Sequence, residues 1–343
     1  MNCLPGLLSA SETGSMDRRL ELLDKFSTVH LLVIGDLMLD RFIWGDVERL
    51  SPEAPVPVLR VVSENASLGG AANVVQNIRA LGGRVTACGI VGRDDPGKRV
   101  LHALRNAGAW TSGVVFDEQF QTIQKSRIIA SPHHQQIVRL DRESRRPIDR
   151  PTLGKIADFV TATAGRYHGI VISDYGKGVI HEELLERIAA TATRQKIVTI
   201  IDPKKENYDG YRFPTLITPN KTEASEASGI AINDEGSLCA AGKRLVRKWR
   251  AQAVLITRGA EGMSLFRPRC AAKHFPTEPK DVFDVTGAGD TVVAICALAL
   301  ASGAGFDDAA VLANLAAGFV GDEIGTVAVT AAKIRKTIED HHR

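Results

Sequence analysis

The chain has 343 residues, of which 44% are hydrophobic and 24% charged, and its formal net charge is +3. That length accommodates one large α/β domain with additions, or two ordinary domains. The charge is too small to point to nucleic acid or an acidic membrane, so an anionic small substrate would depend on local lysines and arginines.

The first residues, "MNCLPGLLSASETGSM", carry no lysine or arginine and are interrupted by Pro5 and Gly6. They make a poor signal peptide and predict a leader over residues 1–28 that is disordered at its start. From "VHLLVIGD" onward, short apolar runs rich in Val and Ile alternate with helical spacing. "RVTACGIVG", "GIVISD", "KIVTIID" and "AVLITRG" read as buried strands, and "AANVVQNIRALG", "GKRVLHALRNAG" and "EELLERIAATATRQ" as helices. The alternation predicts an α/β fold with a mostly parallel sheet covered on both faces, its ligands at the carboxyl ends of the strands. Two stretches break the rhythm, at about 42–62 and 113–141. They read as antiparallel strands, too few for a domain of their own, and therefore as a flap or lid, or an edge that pairs with a second subunit. The apolar run "VVAICALALA" (Val292 to Ala301) is about half of what spans a bilayer, so it predicts a buried helix. Five scattered cysteines, Cys3, Cys88, Cys239, Cys270 and Cys296, form no C-x-x-C pair and suggest free thiols in a reducing cytoplasm.

Several short motifs fall where this pattern places ligands. "GDLMLD" follows the first strand and puts Asp36 and Asp40 at its carboxyl end. "LGGAANVVQN" puts Gly69, Gly70 and Asn73 at a helix start, and "TPNKTEASE" puts Asn220 and Glu223 on one face of another. "LITRGAEGMSLF" ends a strand with Thr257, Arg258 and Gly259 and turns back as a hairpin. In "FDVTGAGDTVV" the glycines allow a sharp turn. The amides of Gly287, Ala288 and Gly289 then face outward at a helix start, with Asp290 in the first turn. Taken singly, each motif has a plain structural alternative: a tight turn, a cap or a surface ion pair. Their joint order on an alternating α/β chain makes that alternative improbable.

This constellation resembles the ribokinase-like family of sugar kinases, from about Val29 to the end of the chain. The resemblance implies that Asp290 is the general base and that Gly287, Ala288 and Gly289 form an anion hole. It assigns Asp36, Gly69, Gly70 and Asn73 to the sugar. Asn220, Lys221, Thr222 and Glu223 go to the phosphate end of ATP, with Glu223 acting on Mg²⁺ indirectly. Thr257, Arg258, Gly259 and Asn314 go to the nucleotide, and Asp284 and Thr286 to a monovalent-cation loop of the kind that takes K⁺. Within the family, "RLSPEAPVPV", "SDYGKG", "IDPKKENYDGYR" and "TPNKTEASEA" look like the D-glycero-β-D-manno-heptose-7-phosphate kinases, which make the 1,7-bisphosphate on the way to ADP-heptose for lipopolysaccharide. That resemblance implies one kinase domain over 29–343 with no nucleotidyltransferase domain, and a cytoplasmic homodimer paired through its lid strands. It leaves another sugar, sugar phosphate or nucleoside as the alternative substrate. Lys177 and Lys204, each after a strand end, are the expected partners of a 7-phosphate, ahead of Arg127, Arg139 and Arg41.

Overall fold

The computed structural model of the chain describes residues 10–131, 134–144, 146–277, 287–320 and 328–340. Among them, thirteen strands form two sheets. In chain order the strands are β1 (His30–Gly35), β2 (Leu37–Leu50), β3 (Pro57–Gly70), β4 (Arg84–Gly92), β5 (Trp110–Asp117), β6 (Ile123–Ser131) and β7 (Gln135–Arg142). They continue as β8 (Gly169–Ser173), β9 (Val198–Asp202), β10 (Leu216–Ile217), β11 (Ala253–Thr257), β12 (Met263–Phe266) and β13 (Lys273–Phe275). The helices are α1 (Ala10–Lys25), α2 (Ala71–Ala80), α3 (Asp95–Asn106), α4 (Arg150–Thr163) and α5 (Glu182–Gln195). After them come α6 (Lys221–Ser228), α7 (Glu235–Trp249), α8 (Ala288–Ala301), α9 (Phe306–Val320) and α10 (Ala331–Asp340).

The large sheet runs β13-β12-β11-β10-β9-β8-β1-β4-β5. It is parallel except at β12 and β13, which return antiparallel. The interior strand β1 shows why the strand sequences are continuously apolar. Leu31 and Val33 join the core under α2, α8 and α9, while Leu32 and Ile34 join the core under α4, α5 and α7. With both faces covered, a pleated strand has no side left for polar residues.

The small sheet, ordered β3-β2-β6-β7, is entered directly from the large one. β1 ends at Gly35 and β2 begins at Leu37, so Asp36 alone separates them. The lid is therefore larger than the sequence suggests, spanning Leu37–Leu50, Pro57–Gly70, Ile123–Ser131 and Gln135–Arg142. Gly113–Asp117 does not belong to it; that stretch is part of β5, paired parallel with β4 at the edge of the large sheet. Edge position explains the misreading, because the alternating burial of β5 resembles that of an antiparallel strand.

The expected leader also needs correction. From Ala10 the chain is helical, with Leu22, Leu23 and Phe26 buried, Asp24 ion-paired to Arg335 of α10, and Arg19 bonded to Asp308 of α9 at 3.2 Å. Its expected disordered start falls on residues 1–9, outside those described. Helix α8 is the core helix anticipated from its composition, and every residue from Asp290 to Leu300 is buried. Burial of Val292, Val293, Ile295 and Leu298 alone is worth about 6–12 kcal/mol as an upper estimate. That anchors a helix whose first turn carries a carboxylate out of water.

Candidate active site at the sheet's carboxyl edge

The chain enters α8 through Gly287, whose φ of +87° is a left-handed conformation that costs a side-chain-bearing residue steric strain. Ala288 and Gly289 then open the helix. Their amides are first-turn donors that a helix leaves without internal partners, at the positive end of its dipole. Asp290, in the same turn, is only 4% exposed. Its Oδ2 accepts from Asn73 Nδ2 at 2.7 Å and its Oδ1 from the Tyr175 hydroxyl at 2.9 Å. A polar seam between α2 and α8 holds this pair in register. Asn77 donates to the Asn73 carbonyl at 3.0 Å, and Thr291 Oγ1 donates to Asn77 Oδ1 at 3.1 Å. Burial pushes the Asp290 carboxyl up to about 6; Asn73 and Tyr175 oppose the shift, Asp40 adds to it and Lys125 reduces it. Such a carboxylate is ionised near neutrality and is still basic enough to accept a proton.

Asp36 has a different place from the one the sequence suggests. It is 0% exposed, and its oxygens accept from the backbone amides of Tyr175, Lys177 and Val179 at 3.0, 3.1 and 3.3 Å. The loop after β8 is thus wrapped around this carboxylate, and no face of it is left for a ligand. Burial and the nearby Asp174 raise its carboxyl to about 6 against the pull of those amides. Asp174 is braced in turn by Tyr211 and Asn207, each at 2.7 Å.

Asp40, in β2, stands at the root of the lid. It forms a 2.9 Å ion pair with Arg127 across the small sheet, and a Cβ on Gly69 would come within 2.6 Å of its Oδ2. Gly69 is needed there because the backbone approaches the carboxylate so closely. Lys125 stands beside Arg127 on β6, with its Nζ 5.3 Å from the centre of the Tyr175 ring. Burial lowers the Lys125 pKa, and Arg139 and Lys177 lower it further, while Asp40 and Asp141 raise it. Lys177 lies on this side, paired with Glu143 at 2.5 Å. Lys125 and Tyr175 are the residues that motif reading passed over, although Tyr175 stands two places before Lys177 in the "SDYGKG" singled out for the lysine.

Lys204 parts from Lys177. Its Nζ pairs with Glu223 Oε1 at 3.2 Å. Burial lowers its pKa, but Glu223, Asp202 and Glu206 together leave it raised. Glu223 also closes a capping box with Asn220 at the start of α6, its Oε2 accepting the Asn220 amide at 3.1 Å. Asp202, at the end of β9, has its carboxyl raised well above the usual range by burial, with Asp290 and Glu223 adding to it. Lys221 and Thr222 open α6 beside the cap, and Asn220 bridges to Thr257 at the end of β11. Arg258 is already engaged, bonded to Glu235 at 2.6 Å, Glu261 at 2.7 Å and Ser264 at 3.1 Å, so it fastens the β11–β12 turn. Gly259 is exposed on that turn.

Asn314 lines a cavity of about 340 Å³ with Phe275, Thr277, Val311 and Leu315. It donates to the Pro276 carbonyl at 2.8 Å and accepts from Thr277 Oγ1 at 2.9 Å. A larger cavity, about 500 Å³, lies between α3 and the lid, lined by Arg41, Lys98, Arg99 and His102, and contains none of the other expected site residues. Asp284 and Thr286 lie outside the described residues.

A basic carboxylate at a glycine-opened helix start, between a cationic lid and a capped acidic corner, suits transfer of a charged group to a hydroxyl. Residues 29–332 match the family model described as pfkB family carbohydrate kinase. The chain belongs to this family. As a pfkB family member it is a sugar kinase, and kinases of this kind use ATP with a divalent metal. It is 51% identical over 306 residues to the "Bifunctional protein HldE" of Geobacter metallireducens, covering 89% of this chain and 62% of that protein. It is 47% identical over 314 residues to the protein of the same name in Geobacter sulfurreducens, covering 92% and 64%. The chain thus spans under two thirds of these relatives' length. Among solved structures, phosphofructokinase-2 of Escherichia coli in complex with potassium aligns at a TM-score of 0.76 and 19% identity, covering 92% of this chain and 100% of that one. Ribokinase of Arabidopsis thaliana with ribose and ATP aligns at 0.70 and 18%, covering 91% and 99%. The fold is thereby the ribokinase-like one expected from the sequence.

Proposed function

We propose that this sugar kinase phosphorylates D-glycero-β-D-manno-heptose 7-phosphate at O1, using ATP and Mg²⁺. The observation that carries the reading is the Asp290 carboxylate, held by Asn73 and Tyr175 at the mouth of α8 and flanked on the lid side by Lys125, Arg127 and Lys177. Asp290 takes the proton of the sugar hydroxyl as its oxygen attacks the γ-phosphorus. The O–P bond to ADP breaks, and the proton later leaves the carboxylate for solvent. The first-turn amides of α8 receive the charge on the transferring oxygens. Among the described residues no three His, Cys, Asp or Glu side chains gather into a metal cage. Glu223, beside the α6 cap and Lys204, would act on a divalent ion indirectly at the phosphate end of the nucleotide. When bound, that ion neutralises phosphate charge. ADP-release assays over sugars and sugar 7-phosphates test the substrate; a higher kcat/KM for an unphosphorylated sugar would overturn it.

The lysines separate two ends of the site. With Lys177 holding the 7-phosphate, Lys177→Ala should raise the sugar-phosphate KM about 10–100-fold, the loss of one charge-assisted contact, and leave the KM for ATP unchanged. Lys204→Ala should do the reverse, since its partner is Glu223. Equal changes in both constants for either variant would contradict this division.

The exposed apolar face of the lid supports the reading of a homodimer. Ile43, Ile128 and Val138 form one cross-strand row, and Leu140 continues the same face. Val138 and Leu140 are exposed, as are Val47 and Val61 on the neighbouring strands. An apolar sheet face of this kind is normally covered, and a second copy of the lid supplies the same apolar chemistry. Val138→Lys with Leu140→Lys should convert a dimer to a monomer in light scattering. A monomeric parent, or a doubly charged variant that stays dimeric, would exclude this face.

A further inference from the structure

We infer that Tyr175 is a positioning residue for the Asp290 carboxylate, and that the loop wrapped around Asp36 serves to present its hydroxyl. The inference rests on Asp290 being the base.

The loop from Asp174 to Val179 is unusually constrained for a surface connection. Alternate amides, those of Tyr175, Lys177 and Val179, converge on one buried carboxylate. The residues between them, Gly176 and Gly178, have φ of +67° and +99°, and Asp174 receives the Gly176 amide at 2.8 Å. Three amides ordered by one acid leave the loop little freedom. Its first side chain after Asp174 is then delivered to Asp290 Oδ1 at 2.9 Å. Asn73 takes the other oxygen, so the two donors fix the plane of the carboxyl group and leave its remaining lone pairs for a sugar hydroxyl.

A hydrogen bond to the ionised form also opposes the effect of burial. The charged groups acting on Asp290 come from several elements: Asp40 from β2 and Lys125 from β6, and Asp202 from the end of β9. Tyr175 faces Asp290, Asp202 and Asp40 and remains protonated, its phenol raised well above the usual range by burial and by those acids. It therefore acts as a donor throughout. Lys125, set over its ring, ties the arrangement to the lid.

The experiment compares pH profiles of kcat/KM for one sugar phosphate, so that titration of the substrate cancels between variants. Tyr175→Phe should move the acid limb upward by about one pH unit, the loss of one hydrogen bond to a charge, and leave the KM for ATP unchanged. Site-specific 3-fluorotyrosine at position 175 keeps the shape but makes a stronger donor, so the limb should move downward. A uniform loss of rate with an unmoved limb in Tyr175→Phe, or a limb that fluorination leaves in place, would overturn the inference. Asp290→Asn separates the two claims. If it abolishes turnover while the Tyr175 variants leave the limb unmoved, only the role of Tyr175 fails. If it keeps most of its turnover, both fail.

Discussion

Asp290→Asn is expected to lower turnover by roughly 10²–10⁴-fold, the usual contribution of a general base, with ATP binding nearly intact. The same substitution should make the protein more stable at neutral pH. In the folded chain burial raises the Asp290 carboxyl from 3.8 to about 6, so the native state holds this proton more tightly than the unfolded state does. Stability linked to the protonated form is fully present below about 3.8 and is lost as pH rises through about 6. A shift of that size corresponds to ~3 kcal/mol. Asparagine does not ionise, so the variant should be no more stable than the parent near pH 4. It should gain up to ~3 kcal/mol by about pH 7.5, less whatever its amide loses against Asn73. Urea denaturation at the two pH values measures this, and a stability difference independent of pH would mean that Asp290 is not strained by burial. A retained turnover would remove Asp290 from the role of base.

The wild-type rate should carry the same signature. With the carboxyl at about 6, the free enzyme is expected to lose kcat/KM as pH falls through that value, where an ordinary surface aspartate would stay active to about pH 4. A profile flat down to pH ~4.5 would contradict a buried base.

Much of this site could be read from the sequence because its residues sit in local patterns with physical consequences. Glycines at 287 and 289, next to an acid and an apolar run, mark a helix start. Asn220 and Glu223, three apart, mark a cap, and the capping box is present. Continuous Val/Ile runs mark strands buried on both faces, and "EELLERIAATATRQ" matches α5, Glu182–Gln195, residue for residue. What escaped was long-range. β10 has two residues and exists only through its pairing with β9 and β11. Helix α1 is polar along most of its length, and its packing on α9 and α10 depends on elements some 300 residues away. Tyr175 meets Asp290 across 115 positions, and no local spacing signals that contact. Sequence also could not divide the work between Asp36 and Asp40. Both follow one strand, and only the fold sends one inward to the loop amides and the other to Arg127.

That division is open to a direct test, because the two roles of Asp36 predict different failures. If Asp36 bound the sugar, Asp36→Ala would raise the sugar KM and leave stability almost unchanged. If it organises the loop, the substitution strands the amides of Tyr175, Lys177 and Val179 in a buried site. Each unsatisfied buried donor costs about 1–3 kcal/mol, and relief of the buried charge returns part of that, so a net loss of ~3–5 kcal/mol is expected. Activity should fall together with stability, since Tyr175 and Lys177 ride on the same loop and lose their positions at once. Asp36→Asn keeps one acceptor but turns an NH₂ group toward amide donors, so it should destabilise nearly as much despite its matching shape. The decisive measurement is chemical denaturation of both variants beside the sugar and ATP KM values. A wild-type midpoint with a raised sugar KM would restore Asp36 to the ligand. A lowered midpoint in both variants, with kcat reduced, fits a carboxylate whose three bonds are all to its own chain.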